Sequence, residues 1–135
     1  MATPAVRGQI TAAGNLEYVK PTDVGTKYGG VPAIAGATTK AGGTLAVPIT
    51  ARICTLTTGG AEALTLANGV PGQKLTLVFG TDGGDGTLTP TTKTGFATIV
   101  FRNVKDTVTL EYIDDTVGWI ITGTAGDGTN TVQLT

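Results

Sequence analysis

Two short acidic clusters are the places where this sequence could do chemistry. Asp114 and Asp115 are adjacent, and paired carboxylates can share acid–base work. Neighbouring turn residues point apart, however, so a solvated turn accounts for them better. Asp82-Gly83-Gly84-Asp85-Gly86 has the density of oxygen ligands of a calcium loop. It lacks ligands at alternate positions and a Glu at the twelfth, so a hairpin turn is the better reading and a cation site the alternative. The Gly-rich runs Gly80–Gly86 and Gly123–Gly128 contain no Gly-Lys-Ser/Thr and open no helix, which excludes a phosphate loop. Cys54 lies in the apolar run Arg52-Ile53-Cys54-Thr55-Leu56 and reads as a small buried hydrophobe, since a reactive thiol needs exposure and basic neighbours.

Composition removes much of the remaining chemistry. Among 135 residues there is no His and no Ser, and Cys occurs once. Imidazole bases, Ser-His-Asp and Cys-His pairs, seryl nucleophiles, thiolate zinc sites and intrachain disulfides are all excluded. We expect no catalytic residues, no cofactor and no metal site. The nine basic residues are scattered, with Arg102 and Lys105 the one close pair in the C-terminal part, so nucleic-acid binding is not expected. No apolar run approaches the ~20 residues of a membrane span, and no apolar h-region follows Arg7. Synthesis in a reducing cytoplasm fits. Trp119, Tyr112, Tyr18 and Tyr28 could serve a glycan site, but Trp119 and Tyr112 stand in phase with apolar neighbours and read as core.

The elements that would position these residues are strands. Thr occurs 28 times and Gly 21 times, and Gly, Thr and Pro interrupt nearly every window of helical length. Period-2 patterning is clear in Lys74–Phe79, Thr107–Ile113 and Val117–Thr122, while Phe96–Arg102 is apolar on both faces and suits a central strand. Turns are predicted at residues 80–86, 103–106 and 114–116, where Gly and Asx supply positive φ. The result is an all-β fold, an antiparallel β-sandwich or barrel-like meander. Its predicted core is Leu75, Leu77, Phe79, Phe96, Val108, Leu110, Val117, Trp119 and Ile121. The segments Val78–Thr87 and Ile120–Thr129 share an apolar strand end, a Gly/Asp turn and a Thr-led exit, a duplicated hairpin style.

The N-terminal part differs. Long apolar side chains are sparse between Ala12 and Pro48, and strand candidates reduce to Val6–Thr11, Leu16–Lys20 and, more weakly, Thr44–Val47. Such a segment buries little surface of its own. We therefore divide the chain into an extended arm, 1–50, and a compact β body, 51–135. The arm carries a net charge of +2 and the body −3, in keeping with the overall −1. Val6, Arg7, Ile10, Leu16, Tyr18 and Tyr28 are the arm residues placed to grip a partner. A body of this size gains from apolar burial between subunits, which points to a homotrimer.

From Thr55 onward the cadence is specific. Leu56-Thr-Thr-Gly-Gly-Ala-Glu-Ala-Leu-Thr-Leu-Ala-Asn-Gly69 is followed by Gly72-Gln-Lys-Leu-Thr-Leu-Val-Phe79 and Asp82-Gly-Gly-Asp-Gly-Thr-Leu-Thr-Pro90, then by Val104-Lys-Asp-Thr-Val-Thr-Leu-Glu-Tyr112 and Gly118-Trp-Ile-Ile121. About half of the chain thereby resembles small β-rich virion proteins of tailed bacteriophages, most of all capsid decoration (cement) proteins. The resemblance implies a structural protein on the capsid surface of the virion. It would clamp neighbouring copies of the major capsid protein, often as a trimer, with a terminal arm laid on the shell. It carries over no site residues. The alternative expectation is a fibre or spike module that binds a host-surface glycan.

Overall fold

The computed structural model describes residues 8–10, 16–18, 35–127 and 130–135. The chain falls into two units, Met1–Ala33 and Ile34–Thr135. In the first, β1 (Gly8–Ile10) and β2 (Leu16–Tyr18) pair antiparallel, with Gly8 opposite Tyr18 and Ile10 opposite Leu16.

The second unit is all-β. Its strands are β3 (Ala35–Lys40), β4 (Ala51–Thr57), β5 (Glu62–Leu66), β6 (Lys74–Thr81), β7 (Gly86–Pro90), β8 (Ile99–Phe101), β9 (Thr107–Tyr112), β10 (Trp119–Ala125) and β11 (Gln133–Leu134). They form a five-stranded sheet in the order β10-β9-β6-β4-β3 and a four-stranded sheet in the order β11-β8-β7-β5. One core lies between them. Cys54, Leu56, Leu75, Leu77, Phe79, Val108 and Leu110 enter it from the larger sheet; Leu64, Leu66, Leu88, Ile99 and Phe101 enter it from the smaller. Strict alternation does this: along β6 the buried residues are Leu75, Leu77 and Phe79, and along β9 they are Val108, Leu110 and Tyr112.

The sandwich is not an antiparallel meander. β3 pairs with β4, β4 with β6 and β5 with β7, all parallel. A further parallel bridge joins Ala46 to Thr65, fixed by Val47 N–H donating to Thr65 O and Thr65 N–H donating to Leu45 O, both at 2.9 Å. From β3 to β7 the chain thus passes from one sheet to the other at each step, and each strand lies on the one a full circuit earlier. This is a wound coil. Only then does it turn antiparallel: β8 pairs with β7, β9 with β6, β10 with β9, and β11 with β8.

The winding changes two sequence expectations. The turns at 80–86 and 103–106 are not hairpins but arches that carry the chain between sheets, whereas 114–116 does close the β9–β10 hairpin. The predicted boundary at residue 50 also moves, because the compact unit begins at Ile34. Residues 35–44 lack large apolar side chains, yet a coil is held first by its backbone. β3 is in register with β4 from Ala35–Ala51 to Lys40–Leu56, and Val47 belongs to the core.

Glycine is required where arches touch. A Cβ on Gly83 would stand 2.3 Å from the carbonyl oxygen of Thr58, and Gly118, at φ +74°, would place one 2.2 Å from the Thr92 carbonyl. Of the predicted core, Leu75, Leu77, Phe79, Val108, Leu110 and Trp119 are fully buried, and Phe96 and Ile121 pack partly against the cluster. Val117 is half-buried outside it.

Trp119 is the largest fully buried side chain. Its ring meets Tyr112 edge-on at 5.2 Å and its indole N–H donates to Ala67 O at 2.9 Å. Trp119→Ala will lower unfolding stability by about 3–5 kcal/mol, measured as a shift of the urea midpoint at unchanged m-value.

Candidate functional site

The most connected polar group in the body is one that the sequence did not single out. Lys40 ends β3, facing inward opposite Leu56, and its side chain is fully buried. Its ammonium donates to Glu62 Oε2 at 2.5 Å and to the carbonyl of Thr57 at 2.7 Å. The other carboxylate oxygen of Glu62 accepts the backbone N–H groups of Gly43 (2.7 Å) and Gly59 (2.8 Å). Beneath this, Thr58 Oγ1 donates to Gly84 O at 2.6 Å and accepts from Gly83 N at 3.1 Å. Three successive arches, each with a Gly-Gly pair at 42–43, 59–60 and 83–84, are tied into one stack. The amide of Gly59 first, then the Lys40 ammonium and the amide of Gly43, hold the Glu62 carboxyl at a pKa of about 2.

The second polar cluster lies at the β9–β10 turn. Tyr112 donates its hydroxyl to Asp115, while Asp114 Oδ1 accepts the amides of Thr116 (2.8 Å) and Val117 (2.7 Å). The adjacent carboxylates therefore serve different partners and do not work as a pair. Burial first, then Asp115 and Asp114, push the Tyr112 phenol up to about 12.

The remaining candidates divide in the same way. Asp82 accepts from Gly84 N at 3.0 Å within its own turn, and Asp85 pairs with Arg102 at 3.2 Å in a half-exposed ion pair. Among the described residues no three His, Cys, Asp or Glu side chains come together as metal ligands. Cys54 is buried, and burial raises its pKa. Asp106 is fully buried; one oxygen accepts the amides of Arg102 (2.9 Å) and Asn103 (3.1 Å), and the other has no partner among the described residues. Of the predicted arm residues, Ile10 and Leu16 stand opposite one another across the β1–β2 hairpin and Tyr18 stands opposite Gly8. Val6, Arg7 and Tyr28 lie outside the described residues.

What the fold assembles is a surface. Strand register puts Ala37, Ile53, Thr76, Thr109 and Gly123 in one row across the outer face of the five-stranded sheet, and Thr39, Thr55, Val78, Thr107 and Ala125 in the next. Ten neighbouring positions carry no ionisable group. Lys74 and Glu111 face each other at one margin. Ile53 is 44% exposed there, and the faces of solvated sheets are ordinarily studded with charge. Spacing along single strands could not reveal this face, because its rows run across five strands, and the pairings β4–β6 and β6–β9 are non-sequential.

No protein-family model and no curated protein matches this chain.

Acid will test the arch stack. The unfolded Glu62 carboxyl titrates at 4.5 and the folded one at about 2, so its contribution is complete above pH 4.5 and disappears as the pH falls toward 2. Urea midpoints of the wild type and of Glu62→Gln should differ most above pH 4.5 and converge below it. Alkali tests the other cluster. The Tyr112 phenol, raised from 10.0 to about 12, contributes fully below pH 10 and loses its contribution as the pH rises through 12. A tyrosinate absorbance titration of the folded protein should show a late phase that Tyr112→Phe removes.

Proposed function

We propose that the protein is a structural component of a tailed-phage virion that decorates the capsid surface and clamps neighbouring major-capsid subunits by surface burial, without catalysis. The observation that carries this reading is the uncharged two-row face of the five-stranded sheet. A flat surface of Thr, Ala, Val and Ile can be covered over a wide area without stranding a charge, and burial of that kind needs no pocket. The cadence of residues 55–121 supplies the class of partner. The N-terminal segment 1–33 is its second contact in this reading, with Ile10, Leu16 and Tyr18 as anchors. The rival glycan-binding reading draws no support from the body aromatics, since Trp119 and Tyr112 are both fully buried.

Antibody labelling of intact virions tests the reading directly: label over the head supports it, and label confined to the tail with glycan binding favours the fibre. Ile53→Lys combined with Ala125→Lys should leave the fold intact and reduce binding to shells about tenfold or more, since each ~1.4 kcal/mol of added desolvation cost is one decade. Wild-type attachment should change little with salt, because the face has no charges to screen. Full occupancy by the double variant would remove this face from the contact.

A further inference from the structure

The wound part of the body has two unlike ends. At the far end the coil is finished by β8 and β9, which turn antiparallel, and the outermost strands there are blunted: β11 has two residues, and β10 is broken by a bulge between Ile121 and Gly123. At the near end nothing of the kind occurs. β3 runs six residues in unbroken register with β4, and no described residue pairs with its other side. It contains no Pro and no exposed charge. Lys40 is the one ionisable residue from 35 to 50, and its ammonium is buried against Glu62. Beside β3, Leu45 at the edge of the other sheet is 49% exposed. Natural edge strands are shortened, bulged, charged or covered, because a bare one recruits another strand.

We propose that this open coil end is a self-association site, where β3 of one chain pairs antiparallel with β3 of a second copy about a twofold axis, joining the two five-stranded sheets edge to edge. Two features select a second copy. β3 itself presents no exposed charge, so placing it against a second β3 brings no like charges of the two strands together; Arg52, exposed on the neighbouring β4, stands one strand back from the seam. The blunted far end denies a head-to-tail contact, which leaves the closed twofold arrangement as the pairing of like copies. Backbone hydrogen bonds supply the affinity, as in other strand additions. Assemblies built this way contain even numbers of chains; a homotrimer uses other contacts.

The test uses the full-length free protein and no capsid, so its outcome is separate from that of the decoration reading. Light scattering across a concentration series should give twice the chain mass at high concentration, with β3 amides protected from hydrogen exchange in step with dimer formation. Ala37→Lys/Thr39→Lys should be monomeric and folded, and Ala37→Glu/Thr39→Glu likewise, while a mixture of the two variants should recover the dimer mass. The same charges on the blunted edge, Thr122→Lys/Thr124→Lys, should leave the dimer unchanged. A wild type that is monomeric at every concentration, including one whose β3 amides are already protected by its own residues, overturns the proposal, as does a strict trimer or failure of the mixed charges to restore pairing.

Discussion

A lysine ammonium cannot be taken out of water cheaply: the effective penalty is several kcal/mol unless an opposite charge and further acceptors meet it. Lys40 is buried at the end of β3, and the architecture around it follows from meeting that demand. Glu62 must lie within reach, so the arch after β4 has to sit directly over the arch after β3. Glu62 in turn is held by two backbone amides from those arches, which leaves no freedom in their height. The amide donors are glycines, and the next arch approaches through Gly83 against the carbonyl of Thr58. One buried charge thereby sets the spacing of three coils. Its value lies in register more than in net stability, because an apolar pair of the same shape could stabilise as well but would not specify which arch lies on which.

That logic explains what the sequence revealed and what it hid. Leu75, Leu77 and Phe79, and likewise Val108 and Leu110, are legible because each belongs to a strand long enough to show alternation. β3, β5 and β7 are not. Ala-Gly-Ala-Thr-Thr-Lys has no large apolar residue, and its membership of the sheet comes from backbone pairing with β4, sixteen positions on in the register. The Asp82–Gly86 loop has the composition of a hairpin, and nothing local distinguishes a turn back to the same sheet from an arch to the opposite one. The two similar segments part in the structure: after β6 the chain crosses to β7 of the other sheet, whereas after β10 an antiparallel bridge joins Gly126 to Thr131. Lys40 and Glu62, 22 residues apart, gave no signal as a pair because neither is part of a motif.

Charge placement separates the surfaces of the body. Asp82, Asp85, Lys93, Arg102, Lys105, Asp114 and Asp115 all lie in arches and turns, where water reaches them from several sides. Within the strands of the second unit, Lys40 and Glu62 neutralise one another, Lys74 and Glu111 stand opposite at one margin of the outer face, and Arg52 is exposed near the start of β4. The rims therefore carry most of the charge, while the two rows of the outer face and β3 itself stay neutral. Low overall charge is commonly read as an absence of function, but here it has a definite location.

Threonine makes such a face tolerable. A sheet surface of Val and Ile would be an aggregation hazard in the free protein, and one of Lys and Glu would have to be desolvated at every contact. Threonine keeps the β-branched shape that favours a strand and exposes one hydroxyl that water or a partner can satisfy. Thr39, Thr55, Thr76, Thr107 and Thr109 occupy half of the two outer rows, interleaved with Ala37, Ile53 and Val78. The mixture offers water hydroxyls in place of charges and can be covered without burying one. A sheet face that is hydrated when bare and has no charge to desolvate when covered needs both properties at once, and the mixing of the two residue classes across five strands provides them on the same face.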